Sequence, residues 1–92
     1  MKKAVRVVIV GTVQGVFFRK FVKDSADSLN LKGLVRNLDD GTLEAIFEGD
    51  AEAIMKMLEI CKTGPKFAQI RSVKAEERKY SGDFKDFTII RF

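Results

Sequence analysis

Histidine and tryptophan are absent from this 92-residue chain, and cysteine, proline and tyrosine occur once each. Without histidine, Ser-His-Asp and Cys-His catalysis lack their base, and zinc sites of the mixed His/Cys type lack their ligands. The single cysteine, Cys61, makes no internal disulfide, which excludes a small secreted scaffold stapled by such bridges. Cys61 also has no arginine six residues on, where Phe67 stands, so a cysteine-phosphatase loop is missing. Its place on an apolar helical stripe makes it a core residue. No apolar run approaches the ~18 residues that cross a bilayer as a helix. Lys2-Lys3 ahead of an apolar stretch has the look of a secretory leader, but Arg6 interrupts the stretch, Gln14 and two glycines follow, and no small-x-small cleavage site appears. A cytoplasmic location without membrane association is therefore expected. Linkers, repeats and low-complexity segments are lacking, so residues 1–92 are expected to form one domain, working as a monomer.

What is present suits a small soluble core. Hydrophobic residues make up 46% and charged residues 33%, with eight Phe, enough apolar surface to exclude disorder. The net charge of +4 is unevenly placed: residues 1–36 carry +6 and residues 37–92 carry −2. A small anion or a nucleic-acid backbone would be drawn to the first third of the chain.

Alternation over Ala4 to Val10 predicts a first strand, and Phe18, Phe21, Val22, Ala26 and Leu29 form the stripe of a helix from Phe18 to Leu29. Asn30 follows, suited to a left-handed helix end. Strands at Lys32 to Leu38 and Thr42 to Glu48 flank Asp39-Asp40-Gly41, a hairpin signal. Leu43, Ala45 and Phe47 are expected inward, Glu44 and Glu48 in water. Asp50 reads as N-cap of a second helix, Ala51 to Lys62, stopped by Gly64-Pro65. A fourth strand, Ala68 to Ala75, slips phase between Ile70 and Val73, the mark of a bulge. A short strand, Phe87 to Arg91, closes the chain. The order βαββαβ with helices of one apolar face each predicts an α+β ferredoxin-like sandwich, an antiparallel sheet with two helices on one face and a short extra C-terminal strand.

The chemistry concentrates at the junction of the first strand and helix. Gly11-Thr12-Val13-Gln14-Gly15-Val16-Phe17-Phe18-Arg19 carries a strand through a Gly-bearing turn into a helix N-terminus. Unpaired N–H groups and the positive end of the helix dipole make such a turn an anion cradle. Arg19 adds a planar guanidinium fork suited to phosphoryl oxygens. The segment lacks the Gly-Lys-Ser/Thr of a nucleotide P-loop. Gly15 alone is a turn glycine, and Asn37 alone is a strand-end residue suited to cap the Asp39-Asp40-Gly41 turn. Phe17 and Phe18 are expected to pack, contributing amides rather than rings.

The segment from Gly11 to Arg19 resembles the first motif of the acylphosphatases, and Gly33-Leu34-Val35-Arg36-Asn37 with Asp40-Gly41-Thr42-Leu43-Glu44 resembles the second. Gly49, Gly64-Pro65 and Phe87-Thr88-Ile89 fall in the same order and spacing. Leu34 stands where the family often has Trp, Leu38 where it can be polar, and Asn30 where it often has Gly; these departures touch packing, hairpin shape and a helix end. The resemblance implies hydrolysis of acyl phosphates to a carboxylate and inorganic phosphate, with no cofactor and no metal. It implies phosphate binding by the amides of Gln14, Gly15, Val16, Phe17, Phe18 and Arg19, charge pairing by Arg19, and an attacking water held by Asn37. A neutral amide suits that task, since its carbonyl accepts from the water while its N–H₂ donates to a phosphoryl oxygen. Inorganic phosphate, as product, is then expected to inhibit. Arg36 has no assigned role and reads as a surface cation.

The rival class is a binding module, since ferredoxin-like sandwiches also bind RNA. Such a domain stacks bases on aromatics of its central strands, whereas Val5 to Val10 is aliphatic; a nucleic-acid partner is not expected. A regulatory domain that binds an anion without turnover is a third reading, opposed by the presence of both Arg19 and Asn37.

Overall fold

The computed structural model describes residues 1–12 and 16–91. Its elements run β1 (Lys2–Gly11), α1 (Val16–Ser28), β2 (Lys32–Asn37), β3 (Leu43–Asp50), α2 (Ala51–Thr63), β4 (Ile70–Arg78) and β5 (Phe87–Ile89). The strands form one sheet in the order β4-β1-β3-β2-β5. β1 is antiparallel to β3 and β4, and β2 to β3, as expected; the closing strand β5 differs, lying parallel to β2. Both helical crossovers skip one strand, so α1 and α2 settle side by side on one face, α1 over β2 and β5, α2 over β4, β1 and β3.

Strand alternation explains the core. Val5, Val7 and Ile9 of β1, Val35 of β2, and Leu43, Ala45 and Phe47 of β3 meet Phe18, Val22 and Ala26 of α1 and Ile54, Met57 and Cys61 of α2. Phe47 stacks on Phe87, with ring centroids 5.4 Å apart, which fastens β5 to the core. Burial pushes the Cys61 thiol up to about 12, the behaviour of an inert core residue.

Asn30 adopts φ 57 after α1, and Gly64 adopts φ 70 after α2, where its N–H donates to the Ile60 carbonyl at 2.8 Å. The phase slip in β4 is a bulge: Val10 faces Ser72 but Gly11 faces Ile70, leaving Arg71 as the extra residue.

Two local expectations are corrected. Asp50 makes no side-chain cap on α2; it pairs with Lys2 at 3.1 Å, while the Ala51 N–H donates to the Met1 carbonyl at 2.9 Å. The cause is the length of the β1–β3 ladder, which brings Lys2 opposite Asp50. Glu44 and Glu48 are not in water but only 6% and 4% exposed. Both lie on the helix-free sheet face, where Arg6 and Arg36 close over Glu44 with Nε–O distances of 2.5 and 2.6 Å. The segment after β4 closes over Glu48, which accepts from the N–H and hydroxyl of Ser81 and the N–H of Gly82. Arg36 is therefore half of a built ion pair rather than a free surface cation.

Candidate active site

β1 delivers the chain to the site through a close approach. A Cβ on Gly11, at φ 150, would overlap the Gln69 carbonyl oxygen. The next residue is tied to the same segment twice: the Thr12 N–H donates to the Gln69 carbonyl at 2.9 Å, and the Gln69 N–H donates to Thr12 Oγ1 at 2.6 Å. Two of the expected phosphate-binding residues, Gln14 and Gly15, lie outside the described residues. The other four, Val16, Phe17, Phe18 and Arg19, form the first turn of α1, whose leading amides have no carbonyl partner inside the helix. That turn holds no acidic residue, in contrast to α2 with Glu52, so no carboxylate of its own offsets the positive end of the dipole.

Arg19 reaches from this turn to the residue just after β5. One Nη1 makes a long contact, 3.5 Å, with the Ile90 carbonyl, and the Ile90 N–H donates to Val35 at 2.9 Å, two residues before Asn37. Arg19 and Asn37 thus belong to the same end of the sheet. Each also carries a buried polar atom, Arg19 Nε and Asn37 Oδ1, with no hydrogen-bond partner among the described residues. Such atoms are rare in folded proteins, because an unpaired buried donor or acceptor costs about 1–3 kcal/mol. The hairpin turn after β2 is served otherwise: Asp40 Oδ1 accepts from the Thr42 N–H at 3.0 Å and from its hydroxyl at 2.6 Å.

Phe18 is buried as expected, but Phe17 is 85% exposed, a correction to its expected packing. The helix period separates them, turning Phe18 to the core and its neighbour outward. A second outward ring, Phe67, is 89% exposed in the segment before β4. Both rings, with Thr12, Phe18 and residues 65–68, line a cleft of about 210 Å³ beside the first turn of α1. Hydrophobic patterning has no means of finding these rings, since they obey no period.

The helix-free face holds a depression of about 530 Å³ lined by Arg6, Arg36, Arg78, Glu44 and aliphatic residues. No aromatic side chain of the strands lies on this face, so the stacking platform of an RNA-binding sheet is lacking there.

Residues 5–89 match the family described as Acylphosphatase. The chain is 46% identical over 85 residues to an acylphosphatase from Pyrobaculum aerophilum, covering 91% of this chain and 90% of the relative. It is 44% identical over 87 residues to one from Rubrobacter xylanophilus, covering 95% and 79%. Its fold is similar to the structure of an acylphosphatase from Coxiella burnetii, with a TM-score of 0.91, 36% identity and coverage of 97% and 93%.

Proposed function

The chain belongs to the acylphosphatase family and is a hydrolase of acyl phosphates, and from that premise we propose how its residues carry out the reaction. The amides from Gln14 to Arg19 hold the phosphoryl oxygens, Arg19 pairs with their charge, and Asn37 holds the attacking water. The carrying observation is the pair of buried atoms, Asn37 Oδ1 and Arg19 Nε, that have no hydrogen-bond partner among the described residues. Oδ1 is an acceptor, the group that a water donates to; Nε–H is a donor, the group that a phosphoryl oxygen accepts from.

The chemistry asks little more. The water oxygen attacks phosphorus, the phosphorus–acyl oxygen bond breaks, and its electron pair leaves on a carboxylate. That carboxylate is a weak base, so no strong general acid is needed to expel it. Phosphoryl transfer is largely positioning and electrostatics. Amides and a guanidinium supply the positive field that Mg²⁺ supplies elsewhere, so the reaction is proposed to be metal-independent. A cytoplasmic setting and a monomeric working state belong to the same proposal; a lone buried cysteine suits reducing surroundings, and no helix among the described residues is long and apolar enough to cross a membrane.

Phosphate release from acetyl phosphate in EDTA tests this reading. Full turnover in the chelator, with competitive inhibition by inorganic phosphate, is expected. Activity that vanishes in EDTA and returns with Mg²⁺ would overturn the cradle as the source of positive charge.

A further inference from the structure

Strand register arranges the depression on the helix-free face. Residues paired across neighbouring strands share a face, and two residues along a strand make a step of about 7 Å. The lining residues therefore fall into three rows. Arg36 stands opposite Glu44 in the first. Leu34, Ile46, Arg6 and Glu76 follow one another across four strands in the second. Arg78 stands opposite Ala4 in the third. Ile90, just beyond β5, completes the lining. Leu34 and Ile46 thus lie between Arg36 at one end and Arg78 at the other.

The three guanidiniums are not equivalent. Glu44 accepts from Arg6 Nε on one oxygen and from Arg36 Nε on the other, and Glu76 accepts from Arg6 Nη1 at 3.4 Å. Arg78 has no ion pair or hydrogen bond among the described residues. Glu48, in the row of Arg78, is already filled by donors from Ser81 and Gly82. Arg78 is thus a cation without a counter-charge on a face that holds two buried carboxylates. That balance suits a monoanion, since a phosphate dianion would set a second negative charge against Glu44 and Glu48. The depression of about 530 Å³ is also larger than a charged head alone requires and falls among pockets for small organic molecules. Its middle offers Leu34, Ile46 and Ile90 and no aromatic ring, a floor for an aliphatic body rather than for a stacked base.

We propose that the helix-free face binds a medium-chain aliphatic carboxylate, with its head on Arg78 and its chain over Leu34, Ile46 and Ile90. Hydrolysis of acyl phosphates releases carboxylates, so the ligand belongs to the class of the reaction's organic product. Neither Arg19 nor Asn37 takes part.

The test is a titration of the isotope-labelled protein with sodium octanoate, read from amide chemical shifts, with inorganic phosphate present to compete at the catalytic residues. Saturable shifts centred on Arg6, Leu34, Ile46 and Ile90 are expected. Acetate has the same head and almost no chain. It is expected to bind at least tenfold more weakly, a factor that about two buried methylenes already supply. Arg78→Gln is expected to weaken octanoate roughly tenfold, the loss of one charge-assisted hydrogen bond. The variant should melt as the wild type does, because Arg78 holds no other described residue. Leu34→Ala keeps the head contact and is expected to weaken octanoate while leaving acetate unmoved. Shifts confined to the first turn of α1 and Asn37, or shifts that grow without saturating, would overturn the site. So would equal affinity for acetate and octanoate, or wild-type octanoate affinity in either variant.

Discussion

Arg19 and Asn37 are chemically complementary, and the difference between their atoms sets what each substitution does. Nε of Arg19 lies within a planar fork whose other arm contacts the Ile90 carbonyl. Lysine at this position keeps the charge but not the fork, so it meets one phosphoryl oxygen where arginine spans two. Arg19→Lys is therefore expected to weaken inhibition by inorganic phosphate and to lower kcat on the order of 10², the usual cost of one lost donor to developing charge. Steady-state kinetics with phosphate as inhibitor checks both. Wild-type phosphate affinity in the folded variant would remove Arg19 from the site. Phe17 and Phe18 show the residue scale in another way: adjacent in sequence and identical in kind, one is exposed and the other is core.

At the scale of elements, the end of β1 that leads into the proposed site is set by how closely the segment before β4 approaches it. Gly11 lets the Gln69 carbonyl reach the Thr12 N–H, and the bulge at Arg71 returns the ladder to register beyond that contact. Gly11→Ala forces a methyl group into the Gln69 carbonyl and a side chain onto an unfavourable φ, expected to cost about 1–3 kcal/mol of stability. Urea unfolding of the variant measures this; a loss near zero would mean that the strand end yields freely. The helix-free face has its own element-scale device in Glu44 between Arg6 and Arg36. Burial would raise its pKa, but hydrogen bonds from Arg36 and Arg6 outweigh that and hold the carboxyl below its ordinary 4.5. The unfolded chain then binds the proton first as acid is added. The pair's contribution is complete above about pH 4.5 and lost as the pH falls through the lower folded value. Glu44→Gln is expected to lower stability near neutrality and to flatten the acid limb of stability against pH. An acid limb as steep as the wild type's would place the responsible carboxylates elsewhere.

Across the whole molecule, element order and helix faces were legible because apolar periodicity records which side of each element is covered. The left-handed Asn30 and the β4 bulge were legible too, since residue type and phase carry them directly. Alternation does not record what covers the other face of a sheet, which is why Glu44 and Glu48 read as solvated when two arginines and the Ser81-Gly82 segment in fact enclose them. Parallel pairing of β5 was hidden for a related reason: three residues have too short a pattern to state their direction. The proposed site was legible only as residue types in two spaced motifs, Arg19 and Asn37 above all; that each carries a buried polar atom without a partner among the described residues was not, because it depends on tertiary packing.

The most direct measurement of the central claim is Asn37→Ala, with kcat, inorganic phosphate affinity and melting temperature taken from one preparation. An orienting role predicts that kcat falls by 10² or more, roughly the cost of a misplaced nucleophile, while phosphate affinity stays near the wild-type value. A protein that melts lower, by about 1 kcal/mol of lost capping, yet turns over acetyl phosphate normally would contradict the account.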